Sequence, residues 1–250
     1  MSPTSDPIVV LETVAARAWP AAETARLGGW RLFASSGFSG RINACWPLED
    51  PGLEVQAAIA WVEAWYAERR LPPLFKVVDS ACAPLDLTMR LAARGYRPRT
   101  ATIMMTGDVA YREDGGVAVV DVVDDAFAAV FAATAHDPAD ARERLETLAR
   151  IPWPRAFARA EADGGPAAIG AGATEGEWTG VFAMRTDPRF RRRGLARRVL
   201  DTLLARAAAA GAKRAWLQVE ADNTAAIALY EAAGFSEAYR YGYWFRPERA

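Results

Sequence analysis

The residues Thr186-Asp187-Pro188-Arg189-Phe190-Arg191-Arg192-Arg193-Gly194-Leu195-Ala196-Arg197 concentrate the side chains that bind anions. Their pattern reads as a strand end, a tight loop and an amphipathic helix whose Leu195, Val199 and Leu203 recur at a spacing of four. Amides at a helix start have no intrahelical acceptor, and the helix dipole adds partial positive charge there, so such a start attracts phosphate. Gly194 lets a phosphate approach the main chain, Ala196 keeps the first turn uncrowded, and the flanking guanidiniums add charge to phosphate oxygens. The same residues also suit a solvated basic helix start. No Gly-Lys-Ser/Thr follows, which excludes a Walker loop, and the dinucleotide pattern G-x-G-x-x-G is absent. Almost every basic residue in the chain is arginine, a bias that GC-rich coding would also give. The position of the cluster therefore carries the argument.

A loop of this kind needs a strand before it and a helix after it, and the second half of the chain supplies both. Strands are predicted at Val117 to Val123, Phe157 to Ala162, Ala167 to Ala173 and Trp178 to Thr186, with Asp163-Gly164-Gly165 as a hairpin turn. Helices are predicted through Phe127, Val130 and Phe131, over Asp140 to Arg150, from the arginine cluster to Gly211, and over Asn223 to Ala233. Ala215 to Glu220 and Tyr239 to Phe245 complete the strands. The first half reads as a strand at Ile8 to Leu11, an Ala-rich stretch to Arg26, then strands at Trp30 to Ser35 and Arg41 to Trp46. After these come a helix through Val55, Ile59, Val62 and Tyr66, a strand at Phe75 to Asp79, a helix at Leu85 to Arg94 and a strand at Thr100 to Thr106. Arg112 to Gly116, charged and Gly-rich, reads as a linker and divides the chain into 1–114 and 115–250. Leu91-Ala92-Ala93-Arg94-Gly95-Tyr96 is similar to Tyr230-Glu231-Ala232-Ala233-Gly234-Phe235, which points to a duplicated fold.

Arg191-Arg192-Arg193-Gly194-Leu195-Ala196 matches the Arg/Gln-x-x-Gly-x-Gly/Ala signature of the GNAT acyltransferases, and Asn223, Tyr230, Gly234 and Phe235 match their downstream Asn, Tyr and Gly-Phe. From about Val117 to Phe245 the chain resembles that superfamily, and Ala225 to Tyr230 resembles its ribosomal-protein alanine acetyltransferases. The resemblance implies a mixed α/β fold, with a mostly antiparallel central sheet flanked by helices, in tandem. It implies acetyl-CoA as cosubstrate, no metal, and direct transfer of the acetyl group to a primary amine of a small molecule or peptide. By position, main-chain groups of Met184, Arg185 and Thr186 would pair with the pantetheine arm and offer amides to the oxyanion. The amides of Arg192 to Arg197, with Arg191 beside them, would hold the pyrophosphate. Asn223 would contact the pantetheine end or cap its helix, or do both. Tyr230 stands at the general-acid position; a phenol, with an ordinary pKa near ~10, stays protonated at neutral pH and can donate to a leaving thiolate. It would equally suit a buried helix aromatic.

The base departs from the pattern. Where the ribosomal enzymes carry a Glu, this chain has Gln218, whose neutral amide cannot take a proton. Glu220 lies two residues on, on the same face of a strand, and is the nominated base; Glu177, Asp187 or water are the alternatives. In the first half the loop corresponding to the phosphate site holds Glu49, Asp50 and Glu54 and no arginine, and Leu91 replaces Tyr230. That half is expected to be GNAT-like without a cofactor site. An acyl-CoA sensor without turnover is the alternative reading, kept open by Gln218.

Composition sets the outer bounds. With 52% hydrophobic residues, 24% charged and a net charge of −1, the chain is expected to be a globular cytoplasmic protein that binds no nucleic acid. No apolar run of about 18 residues exists to span a membrane, and the first residues do not resemble a signal peptide. Cys45, Cys82 and the single His136 are too few for a disulfide framework or a Cys/His metal site, and are expected to be packing or surface residues. A homodimer is compatible with all of this.

Overall fold

The computed structural model describes residues 6–99, 101–109, 116–135, 137–152 and 154–247. The chain forms two compact units that do not follow the sequence in simple succession. The first comprises Met1–Ile103, Glu220–Asp222 and Tyr239–Ala250, and the second Met104–Val219 and Asn223–Ala238. The division expected between 114 and 115, and His136, lie outside the described residues.

In the first unit, α1 (Pro7–Ala18) precedes a hairpin of β1 (Glu23–Leu27) and β2 (Trp30–Ala34). Then follow β3 (Cys45–Pro47), α2 (Val55–Glu68), β4 (Leu74–Val77), α3 (Leu87–Ala93) and the short β5 (Arg97–Pro98). Ile8 to Leu11, expected as a strand, begins α1 instead. The Asp6 carboxylate accepts from the Ile8 amide at 2.8 Å, Pro7 opens the helix, and Leu11, Ala15 and Ala18 bury one face. The β-branched run Ile8-Val9-Val10 hides that cap. Arg41 to Trp46 is likewise not one strand: Gly40–Ile42 is a 3₁₀ turn before β3.

The sheet order here is β1-β2-β3-β4-β12, where β12 is Ser236–Phe245 from the far end of the chain. The α2 crossover makes β3 and β4 parallel, and β12 lies antiparallel to β4 from Gly242↔Val77 to Phe245↔Leu74. Trp30, Ile59, Tyr66, Phe75, Leu91 and Tyr96 fill the core. Beside it Lys76 on β4 is buried in an ion pair with Glu12 of α1, its Nζ 3.8 Å from the Trp46 ring centroid and 4.1 Å from that of Tyr241. The Tyr239 hydroxyl donates to the same carboxylate at 2.6 Å. Burial pushes the Lys76 ammonium down to about 8 against the pull of Glu12.

In the second unit the order is β6-β11-β10-β9-β8-β7. These strands are β6 (Thr102–Asp108), β7 (Val117–Val120), β8 (Arg155–Ala162), β9 (Gly165–Glu175), β10 (Trp178–Thr186) and β11 (Arg214–Glu220). The helices are α4 (Asp125–Ala133), α5 (Pro138–Arg150), α6 (Leu195–Ala209) and α7 (Thr224–Glu231). β7 to β10 are antiparallel in sequence, and the α6 crossover makes β10 and β11 parallel. Positive φ at Asp163 and Gly164 gives the β8–β9 turn its primed geometry. The fold is thus mixed α/β with a mostly antiparallel sheet.

The element order β1-β2-β3-α2-β4-α3-β5 repeats as β8-β9-β10-α6-β11-α7-β12. The Gly-aromatic ends of α3 and α7 are made identically: Tyr96 N donates to Leu91 O, and Phe235 N to Tyr230 O, both at 3.0 Å. The repeat is completed by exchange. Tyr239 to Phe245 belongs to the first unit, while Met104 to Asp108 belongs to the second.

Candidate active site

β10 carries the central feature of the second unit. It pairs with β11 only from Trp178↔Arg214 to Val181↔Leu217, and the ladder stops there although both strands continue. On its other edge β10 stays paired with β9, through Arg185↔Ile169 and Thr186↔Ala168, after a register shift between Phe182 and Arg185. Ala183, at φ 53°, forms this bulge and bends the strand away from its β11 pairing. A non-glycine residue in this region is strained, so the surrounding sheet must hold it there. Met184, Arg185 and Thr186 lie immediately past the bulge. Met184 turns toward α6, where a side chain at Gly170 would collide with its sulfur and with Val199. Arg185 turns to the opposite face, its guanidinium 5.3 Å from the Phe131 ring centroid on α4.

The loop that follows is ordered by its own charges. Asp187 accepts from the Arg189 amide at 2.9 Å and from Arg189 Nη2 at 2.7 Å, and that guanidinium holds its carboxyl below the usual range. Arg193 is paired with Asp163 at 3.1 Å, and Arg197 with Asp201 at 2.9 Å and with the Ala232 carbonyl at 2.9 Å. Arg191 and Arg192 are exposed and have no ion-pair partner among the described residues.

The start of α6 fits an anion. Gly194, at φ 77°, precedes Leu195 without any side-chain cap, and the space a Cβ would enter is open. Among the described residues the amides of Arg192, Arg193, Gly194, Leu195 and Ala196 have no acceptor, whereas that of Arg197 already donates to Gly194 O at 3.1 Å. Five amide donors and a helix dipole thus stand at an open helix start, with two exposed arginines in the loop before it.

Asn223 caps α7, its Oδ1 accepting from the Ala226 amide at 3.2 Å. Tyr230 is buried on the same helix, its ring 6.2 Å from that of Phe235. Gln218 is partly buried on β11. Glu220, exposed at the end of that strand, falls in the Glu220–Asp222 segment of the first unit, while all the other nominated residues fall in the second. Glu177 precedes β10 at the end away from the loop, in an ion pair with Lys213. With about 3.3 Å per strand residue, the length of β10 separates it from Thr186. Sequence reading missed the Ala183 bulge and the Arg185–Phe131 contact. The unbroken apolar run Val181 to Met184, where alternation lapses, is the trace they leave in the sequence.

A family model described as "Probable histone acetyltransferase Rv0428c C-terminal" matches residues 4–244. The Mycobacterium tuberculosis protein named "Probable histone acetyltransferase Rv0428c" is 30% identical over 244 residues, covering 91% of this chain and 70% of that protein. The chain belongs to this family, within the GNAT acetyltransferase superfamily. A shorter likeness is to the ribosomal protein bS18-alanine N-acetyltransferase of Salmonella typhimurium, 48% identical over 58 residues, which are 23% of this chain. The match spans 39% of that enzyme's length. Among solved structures, a GCN5-related N-acetyltransferase from Kribbella flavida superposes with a TM-score of 0.71 at 18% identity, over 98% of both chains. A tandem GNAT protein from the clavulanic acid biosynthesis pathway gives 0.61 at 17% identity, over 97% of this chain and 89% of that one. These two establish a shared fold. Among the described residues no group of three or more His, Cys, Asp or Glu could hold a metal ion, and no helix is long and apolar enough to cross a membrane.

Proposed function

We propose that this family member is an acetyl-CoA-dependent N-acetyltransferase acting on a primary amine. The observation that carries the reading is the Gly194 helix start, where five unaccepted amides and Arg191 and Arg192 suit a pyrophosphate. The interrupted β10–β11 ladder supports it, because main-chain groups of Met184 to Thr186 can then meet an extended pantetheine arm as a strand would. Asn223, besides capping α7, would face the same arm. Acetyl-CoA supplies the activated acetyl group. The amides past the Ala183 bulge donate to the developing oxyanion. Tyr230 donates its hydroxyl proton to the departing sulfur. Glu220, exposed at the end of β11, takes up the proton released as the amide forms.

We further read residues 1–114 and 115–250 as two GNAT-like halves, with the cofactor site in the second alone. Calorimetry with acetyl-CoA, followed by coenzyme A release across polyamines, amino acids, aminoglycosides and peptide N-termini, tests the activity. Tight binding with no turnover on any amine would reject it.

A further inference from the structure

Resting on the transferase reading, we infer that the acceptor is an amine of low basicity, an α-amino group rather than a lysine or polyamine ammonium, which enters the site already neutral. An amine must shed its proton before it can attack a thioester carbonyl, so either the protein removes the proton or solution chemistry has done so beforehand. The strands flanking the reacting segment are poorly equipped for removal before attack: Glu220, the carboxylate at the end of β11, is exposed to water and is left to collect the proton once the new bond has formed. Gln218, partly buried on β11, presents an amide that cannot accept a proton. Asp187, directly after Thr186, is committed to Arg189 through a 2.7 Å ion pair and an amide hydrogen bond. Glu177 is held by Lys213 at the other end of β10.

The local field acts in the same direction. Arg185 extends from the reacting segment over Phe131, on the sheet face opposite α6. A guanidinium there favours a developing oxyanion and disfavours an incoming ammonium, since like charges raise the cost of the protonated form. A carboxylate at position 218 would reverse that balance, and the chain does not have one.

The chemistry balances without a base that acts before attack. The neutral amine nitrogen bonds to the carbonyl carbon and the carbon–sulfur bond breaks. Sulfur receives the Tyr230 proton, which solvent replaces, and the surplus nitrogen proton passes to water or Glu220. The products are the amide and free coenzyme A. Discrimination then follows from solution populations. Near pH 7.5 an α-amine with a pKa of about 7.8 is roughly one-third neutral, while a lysine amine at about 10.4 is neutral in roughly one molecule in a thousand. The greater intrinsic nucleophilicity of the more basic amine offsets part of that gap, leaving an expected preference of at least tenfold.

Alaninamide and Nα-acetyl-lysinamide, matched in size class and differing in which amine is free, test this. With the full chain and saturating acetyl-CoA at pH 7.5, kcat/KM should favour alaninamide by at least tenfold. Its log kcat/KM should climb with unit slope to the amine's own pKa and then level, whereas that of the lysine compound should still be climbing at pH 9. Gln218→Glu should narrow the preference by raising turnover of the lysine compound. Equal or faster use of the lysine amine by the unmodified protein, or a plateau well below the amine's own pKa, would overturn the inference and leave the transferase reading standing. Bound acetyl-CoA with no coenzyme A released from either compound would overturn both.

Discussion

The helix starts of α2 and α6 occupy corresponding places in the repeat, each between two parallel strands, and they treat anions in opposite ways. At α2 the Glu54 carboxylate accepts from the amides of Gln56 at 2.8 Å and Ala57 at 3.2 Å, so the helix carries its own anion. The β1–β2 turn closes over the loop before it. Gly29 donates to Asp50 O at 2.7 Å, and any side chain at Gly28 or Gly29 would run into Pro51 or Glu49. At α6 the corresponding cap is Gly194, with no side chain, open space in front and arginines around it. The second difference lies on the next helix, where buried Leu91 stands at the place of Tyr230. One capping residue and the charge of the loop before it thus decide whether a helix start keeps its amides open to an anion.

The largest expected effect tests the Leu91–Tyr230 difference. Tyr230→Phe deletes a proton donor and keeps most of the ring's packing. General acid catalysis contributes typically ~10²–10⁴-fold, so kcat should fall by at least tenfold with little change in KM for acetyl-CoA. Leu91→Ala should instead lower stability by about 2–5 kcal/mol with KM unaltered. A Phe variant that turns over like the parent would make Tyr230 as purely structural as Leu91.

Gly194→Val comes next. It fills the open space in front of the amides and forces a β-branched residue to φ 77°. Acetyl-CoA affinity should drop by roughly an order of magnitude or more, corresponding to about 1.4 kcal/mol for each tenfold. Circular dichroism should show the fold retained. Unchanged affinity by calorimetry would remove the distinction between the two helix starts.

Titration of the intact chain should then give one acetyl-CoA per molecule, because the α2 start is already satisfied by Glu54. Two equivalents at saturation would mean that the acidic loop yields to the ligand. The smallest effect is expected for Glu54→Ala, which removes a cap worth about 0.5–2 kcal/mol. Thermal melting should register that loss, and acetyl-CoA binding should not change.

Local chemistry was legible in the sequence wherever a few neighbouring residues determine it. The arginine loop, the periodicity of Leu195, Val199 and Leu203, and the Gly-aromatic helix ends all lie where spacing places them. Features that depend on distant partners were not. Ile8-Val9-Val10 has strand-like composition, yet Asp6 and the burial of Leu11 and Ala15 make it helical. Lys76, inside the strand expected at Phe75 to Asp79, is buried against Glu12 and the Tyr241 ring, which lie far from it in sequence. The Ala183 bulge is set by the β9 register, which single-strand alternation does not encode. Nor does sequence order reveal that Tyr239 to Phe245 packs with the first unit although it follows the second.

That exchange of strands has a consequence for how the protein is made. β4 emerges from the ribosome well before its neighbour β12, which lies far along the sequence from it. At ~5–20 residues per second, on the order of ten seconds of elongation separates them. During that interval the edge of β4 lacks its partner and Lys76 lacks the tyrosines of β12, although Glu12 is already available. The amino-terminal unit therefore cannot finish folding as a separate body ahead of translation. A nascent chain arrested before Tyr239 should be markedly more sensitive to protease within β4 than the released protein.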